Sequence, residues 1–102
     1  MEKRRPHYRL PEIQTVVADP ASRPFTRTAI EGGRAMGLTE TQMREVVCGL
    51  TPSSFYKAMT TEHDSTLWQD VYHAQIFTGE TAYIKITGYA DGRPPVIQFK
   101  AK

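Results

Sequence analysis

Tyr83, Lys85, Gln98 and Lys100 occupy alternate positions in two segments that read as β-strands, so their side chains project from one side of a sheet. Opposed residues on neighbouring strands sit about 4.5–5.5 Å apart, which brings all four within reach of a single phosphodiester. Two ammonium groups and a phenol suit such a group. The cations can offset charge that builds up on phosphorus-bound oxygens, and the phenol can give a proton to a departing oxygen. A solvated polar face is also the ordinary condition of a small antiparallel sheet, and alternation alone weighs the two readings equally. Other candidates are weaker. His7, His63 and His73 are dispersed, and no Gly-rich phosphate loop, HExxH or G-x-S-x-G motif is present, so neither a metal nor a nucleotide cofactor is expected. Cys48 lies beside an apolar helical stripe with no histidine adjacent and reads as a buried structural thiol. The run Lys3-Arg4-Arg5 offers supporting phosphate contacts at most.

The elements that must position these groups follow from periodicity. Leu10, Ile13, Val16 and Val17 recur at helical spacing around Pro11, and Asp19-Pro20 closes that helix. Thr26 can cap a second helix through about Met36, which Gly32-Gly33 weakens by roughly 1 kcal/mol per glycine. Thr39 with Gln42 matches a capping box, followed by the stripe Met43, Val46, Val47 and Leu50 and a stop near Gly49. Thr51-Pro52 is expected to open a further turn or short helix in which Phe55 and Met59 share a face and Lys57 projects differently. From Trp68 to Phe77 the period becomes two: Gln69, Val71, His73 and Gln75 alternate with Asp70, Tyr72, Ala74 and Ile76. Thr78-Gly79-Glu80 supplies a turn, and Asp91–Pro95 a loop between the last two strands. In those strands Ile84, Ile86, Ile97 and Phe99 belong to the set that must face the helices. The expected fold is α+β: an antiparallel sheet of three or more strands on the C-terminal side, packed against N-terminal helices.

Composition sets the bounds. With 102 residues, 39% hydrophobic and 24% charged, the chain is expected to form one domain over residues 1–102 with one modest core. No apolar run reaches the 18 or more residues of a membrane span, and Met1–Pro6 carries charge with no apolar segment after it. The single cysteine excludes an internal disulfide, and a reducing cytoplasm fits. A net charge of +2 hints only weakly at a polyanionic partner.

The blocks Met1-Glu2-Lys3-Arg4 with Pro6-His7 and Arg9-Leu10, Phe55–Thr61 (FYKAMTT), Trp68–Tyr72 (WQDVY), Tyr83–Thr87 (YIKIT) and Phe99-Lys100 closely resemble the MqsR family of bacterial toxins, in order and across nearly the whole chain. The resemblance implies a RelE/YoeB-like toxin fold. It also implies an endoribonuclease that cleaves mRNA at GCU-type sequences, and a cognate antitoxin of the MqsA type that binds DNA. Carried over block by block, the family's functional lysine falls on Lys57, its glutamine on Gln69, its strand tyrosine on Tyr83 and its C-terminal lysine on Lys100. His73 stands where an arginine is expected, and the loop Gly88–Pro95 looks longer than usual. Both departures touch substrate contacts and sequence preference.

On this reading, single-stranded RNA is cut without a metal by attack of a ribose 2′-hydroxyl on the adjacent phosphorus. Lys57 and Lys100 clamp charge, Gln69 orients phosphate or base, and Tyr83 donates a proton or stacks. Lys85 adds a phosphate contact. Tyr56, Trp68 and His73 offer rings or edges to splayed bases, although core packing is the commoner fate of Trp68 and Tyr56. The alternatives are a module of the same fold that grips RNA or protein without cutting, and a protein partner that pairs through a free strand edge.

Overall fold

The computed structural model describes residues 1–102. In chain order the elements are β1 (Glu2–Lys3), α1 (Leu10–Ala18), α2 (Arg27–Ala35), α3 (Glu40–Cys48), a single 3-10 turn (Pro52–Ser54), β2 (Phe55–Thr60), β3 (Trp68–Gln75), β4 (Thr81–Thr87) and β5 (Val96–Ala101). The strands form one five-stranded sheet in the order β1-β2-β3-β4-β5, every pair antiparallel. The helices cover one side of it, so the expected α+β class holds.

Local chemistry explains the helices. Thr39 and Gln42 form the reciprocal capping box at the start of α3, with Gln42 N–H to Thr39 Oγ1 at 3.1 Å and Thr39 N–H to Gln42 Oε1 at 2.9 Å. Thr26 Oγ1 accepts from Ala29 N–H at 3.0 Å and donates to Gln98 Oε1 at 3.0 Å, which caps α2 and ties its start to β5. Arg44 of α3 donates to the carbonyls of Val17, Asp19 and Ser22, binding the end of α1 and the loop after it to α3. Gly32 lies so close to β5 that a Cβ there would sit 2.2 Å from the Phe99 carbonyl oxygen. The glycine pair therefore costs helix propensity and permits close helix–sheet contact.

The core sits between Val17, Met43 and Val47 from the helices and Tyr72, Ile84, Ile86, Ile97 and Phe99 from the sheet, all almost wholly buried. Each such side chain contributes on the order of 1.5–3 kcal/mol by leaving water. Asp70 is the charged residue among them, 1% exposed. Its carboxylate accepts from His7 N–H at 3.0 Å and Tyr8 N–H at 2.9 Å, and Tyr8 OH donates to Trp68 O at 2.7 Å and Gly88 O at 3.0 Å. These bonds hold the N-terminal arm across the end of the sheet and let β1 pair with β2. The same packing keeps Trp68 half-buried, its ring stacked on His7 at 5.4 Å with Lys3 Nζ 4.1 Å from its centroid.

Several expectations are corrected. Residues 55–60 form a strand, and only Pro52–Ser54 is helical. Three residues cannot meet the nucleation cost of a helix, whereas a strand here gains the whole edge of β3. A bulge between Phe55 and Lys57 shifts the side-chain parity. Phe55 thus turns to the core, edge-on to Tyr72 at 5.5 Å, while Lys57 and Met59 share the other side. β3 ends at Gln75 rather than Phe77, whose side chain is 74% exposed. Cys48 is exposed, because Val47 and Leu50 take the buried stripe and leave its thiol to reach the Gln14 carbonyl at 3.6 Å. No helix is long and apolar enough to cross a membrane.

Candidate active site on the open face of the sheet

Register assembles the polar face into rows. His73, Tyr83 and Lys100 stand opposite one another across β3, β4 and β5. Lys57, Val71, Lys85 and Gln98 form the next row, and Glu2, Met59, Gln69, Thr87 and Val96 the one after. Opposed residues of antiparallel strands point to the same side, so these rows share the face away from the helices. Val71 is fully buried there, lying between Lys57 and Lys85, whose methylene stems are long enough to cover it.

An open cleft of about 380 Å³ lies over β4 and β5, lined by Gln69, Tyr83, Lys85, Gln98 and Lys100 together with Thr28, Thr87 and Tyr89. Lys100 Nζ stands 5.2 Å from the centroid of the Tyr83 ring. Gln69 is held by donation from its Nε2 to Thr87 Oγ1 at 3.1 Å. Beside the cleft, the Tyr56 ring stacks on His73 at 4.4 Å with 22° between planes, and His73 tilts toward Tyr83 at 5.7 Å. Tyr56 is 46% exposed, so core packing is not its role. The bulge that turns Phe55 inward is what releases Tyr56 to this stack.

Lys57 Nζ lies 5.6 Å from the Tyr56 centroid and ion-pairs with Glu2. The hydrogen bond and charge of Glu2 raise the Lys57 ammonium above its ordinary value, and the same contact lowers the Glu2 carboxyl. Burial, and then the Lys102 charge, push the His73 imidazole below its usual value. The face thus carries cations at three corners, a phenol between two of them, and an imidazole biased toward its neutral form. An anion resting over Tyr83 would meet ammonium groups and the phenolic hydroxyl together.

Of the residues singled out by sequence, Tyr56, Lys57, Gln69, His73, Tyr83, Lys85, Gln98 and Lys100 lie on this face, whereas Trp68 has the opposite parity in β3 and packs against His7. Gln69, Tyr83, Lys85 and Lys100 line the cleft, and Lys57, Tyr56 and His73 stand along its flank. Four neighbours went unassigned. Thr87 was legible in the same alternation as Tyr83 and Lys85, but Glu2, Thr28 and Tyr89 arrive through chain reversals that no local pattern marks.

The chain matches, over residues 5–101, the family described as motility quorum-sensing regulator, toxin of MqsA. It belongs to this toxin family. Over 102 residues, the full length of both chains, it is 42% identical to the mRNA interferase toxin MqsR of Escherichia coli (strain K12). The positions to which the resemblance to the MqsR family carries roles, Lys57, Gln69, Tyr83 and Lys100, come from three adjacent strands and β5 and converge on the open face.

Proposed function

We propose that this chain is the toxin of a type II toxin–antitoxin system, an endoribonuclease that cuts single-stranded mRNA and so halts translation and growth. Its place of action is then the cytoplasm, its preferred sites are of the GCU type, and its neutralising partner is a DNA-binding antitoxin of the MqsA type. The observation that carries this reading is the row His73–Tyr83–Lys100, flanked by Lys57 and Gln69. The E. coli relative, named as an mRNA interferase, supports it.

The ribose 2′-oxygen would attack the adjacent phosphorus and expel the 5′-oxygen, leaving a 2′,3′-cyclic phosphate and a 5′-hydroxyl. Lys100 and Lys57 clamp the non-bridging oxygens, so that lysine charge offsets what builds up in the transition state and the reaction proceeds without a divalent ion. Each aimed donor is worth on the order of 10²–10³ in rate. Tyr83 gives its phenolic proton to the leaving oxygen, and Gln69, steadied by Thr87, orients the phosphate or the neighbouring base. Lys85 adds a phosphate contact, and Tyr56 offers a ring to a base.

The test is incubation with a defined RNA in EDTA. Cleavage with a cyclic phosphate terminus is expected, and Lys57→Ala combined with Tyr83→Ala should abolish it. A requirement for divalent metal, or cutting that survives the double variant, overturns the mechanism. Tight RNA binding without product would select the non-cleaving module instead, and mapping the 5′ ends of cut transcripts reads the sequence preference.

A further inference from the structure

We propose that His73 is the general base of the cleavage, an imidazole nitrogen taking the 2′-hydroxyl proton as that oxygen attacks phosphorus. This rests on the ribonuclease reading above and adds the proton acceptor that reading lacks.

The chemistry of the face leaves few acceptors. Ammonium and phenol groups ordinarily titrate near 10, which makes neither type a ready proton acceptor at neutral pH. Glu2 is unprotonated but already ion-paired with Lys57, and that pairing lowers its basicity. An imidazole combines the two properties the step needs, being mostly free base near pH 7 and basic enough to accept.

Geometry places His73 where the proton must go. It stands opposite Tyr83, which stands opposite Lys100, so one row presents an acceptor, a phenol and a cation in order. A phosphate resting over Tyr83 has the imidazole on one side and the ammonium on the other, across about 10 Å, two cross-strand intervals. That span accommodates a ribose and its 3′-phosphate. The stacked Tyr56 ring fixes the imidazole plane. No hydrogen bond of the protein engages either ring nitrogen, and no buried side-chain nitrogen or oxygen lacks a partner, so both nitrogens are open to the cleft side or solvent.

The surroundings favour the free base. Against His73 stand the Tyr56 ring from β2 and the Tyr83 ring from β4, the Lys102 charge acts on it from just beyond β5, and Lys100 lies one strand further along the same row. These are phenols and cations, with no carboxylate to hold an imidazolium. Partial burial acts in the same direction.

The step balances. The 2′-oxygen–phosphorus bond forms while its proton passes to His73, the phosphorus–O5′ bond breaks, and O5′ takes the Tyr83 proton. The imidazolium then returns a proton to the Tyr83 phenolate, directly or through water, and both groups are restored.

Single-turnover cleavage of a defined single-stranded RNA, followed from about pH 4.5 to about pH 8.5, tests this. The expected profile falls on its acid side with a midpoint below 6.5, the ordinary imidazole value. His73→Gln should slow cleavage about 10²-fold at neutral pH and remove that acid limb, and added imidazole should restore part of the rate to His73→Ala. Affinity for an RNA blocked by 2′-deoxy substitution should change less than about threefold, which separates proton transfer from a purely structural role. A His73→Gln enzyme that keeps the wild-type rate or acid limb overturns the inference while the ribonuclease reading stands. RNA left whole by the wild type overturns both. Should the variants fail to fold, the imidazole of the wild type can be titrated by NMR. Its midpoint must coincide with the kinetic limb, and a mismatch beyond about half a pH unit defeats the proposal.

Discussion

Glu2 ion-pairs with Lys57 across β1 and β2, joining residues 55 apart in sequence at the edge of the open face. The pair persists at neutral pH because each partner shifts the other away from neutrality, the carboxyl downward and the ammonium upward. It occupies the very cation proposed to meet the RNA backbone. Glu2→Gln should therefore free Lys57 and remove a negative charge from the rim, tightening RNA binding roughly two- to fivefold and steepening the salt dependence by up to about 0.7 in log–log slope. Fluorescence anisotropy with an uncleavable RNA at several salt concentrations measures both. An unchanged slope would mean that Lys57 does not meet phosphate.

Asp70 anchors the arm that carries Glu2. Replacing it with Ala leaves the part-buried N–H groups of His7 and Tyr8 without their acceptor, and a loss of about 1–3 kcal/mol is expected in urea denaturation, with faster proteolysis at Lys3–Arg5. Burial is the main influence on this carboxyl and raises it above the ordinary 3.8, outweighing the N–H bonds that lower it. A folded value above the unfolded one means that the folded state binds the proton more tightly. Stability from this group is then complete below about 3.8 and fades as pH rises through the raised folded value. Relative to Asp70→Asn, the wild type should gain stability as pH is lowered through that interval.

Gly32 and Gly33 differ in what a methyl group would meet. At Gly32 the added Cβ lies 2.2 Å from the Phe99 carbonyl oxygen, a backbone atom that can move only with β5. At Gly33 the obstacle is the Met43 thioether, with Sδ at 2.3 Å, a side chain with other rotamers. Gly32→Ala should lower stability by about 2–4 kcal/mol and Gly33→Ala by clearly less, as read from thermal melts of the two variants.

Tyr56 presents a half-exposed ring already stacked on His73. Tyr56→Ala should raise KM for RNA about tenfold, in line with about 1–3 kcal/mol per stacked base, while Tyr56→Phe stays near the wild type. Equal losses in both variants would assign the effect to the hydroxyl instead of the ring.

Much of this architecture was legible in one dimension. In β4 and β5 one side lies against helices and the other carries the polar groups, so the register of Tyr83, Lys85, Gln98 and Lys100 can be read directly, whereas β3 breaks the pattern with Asp70 buried on the side of Tyr72 and Val71 buried on the open side. The helix caps at Thr26 and Thr39 are equally local, since a hydroxyl and an N–H three residues on are all they need. β2 was hidden because its bulge breaks the period of two between Phe55 and Lys57, and the broken pattern imitates a helical turn. The fate of Cys48 was misjudged for a related reason, since one helical step decides between the buried stripe and solvent.

What chain order determined is therefore the identity of the reactive groups, the strands that carry most of them and the side to which those strands turn them, because period and capping act over a few residues. Only the tertiary structure decided that Glu2 would sit on Lys57, that Tyr56 would stack on His73, and that α2 would lie close enough to β5 to demand Gly32. Those relations depend on a buried carboxylate catching the N-terminal arm and on one extra residue in a strand, and neither leaves a periodic trace.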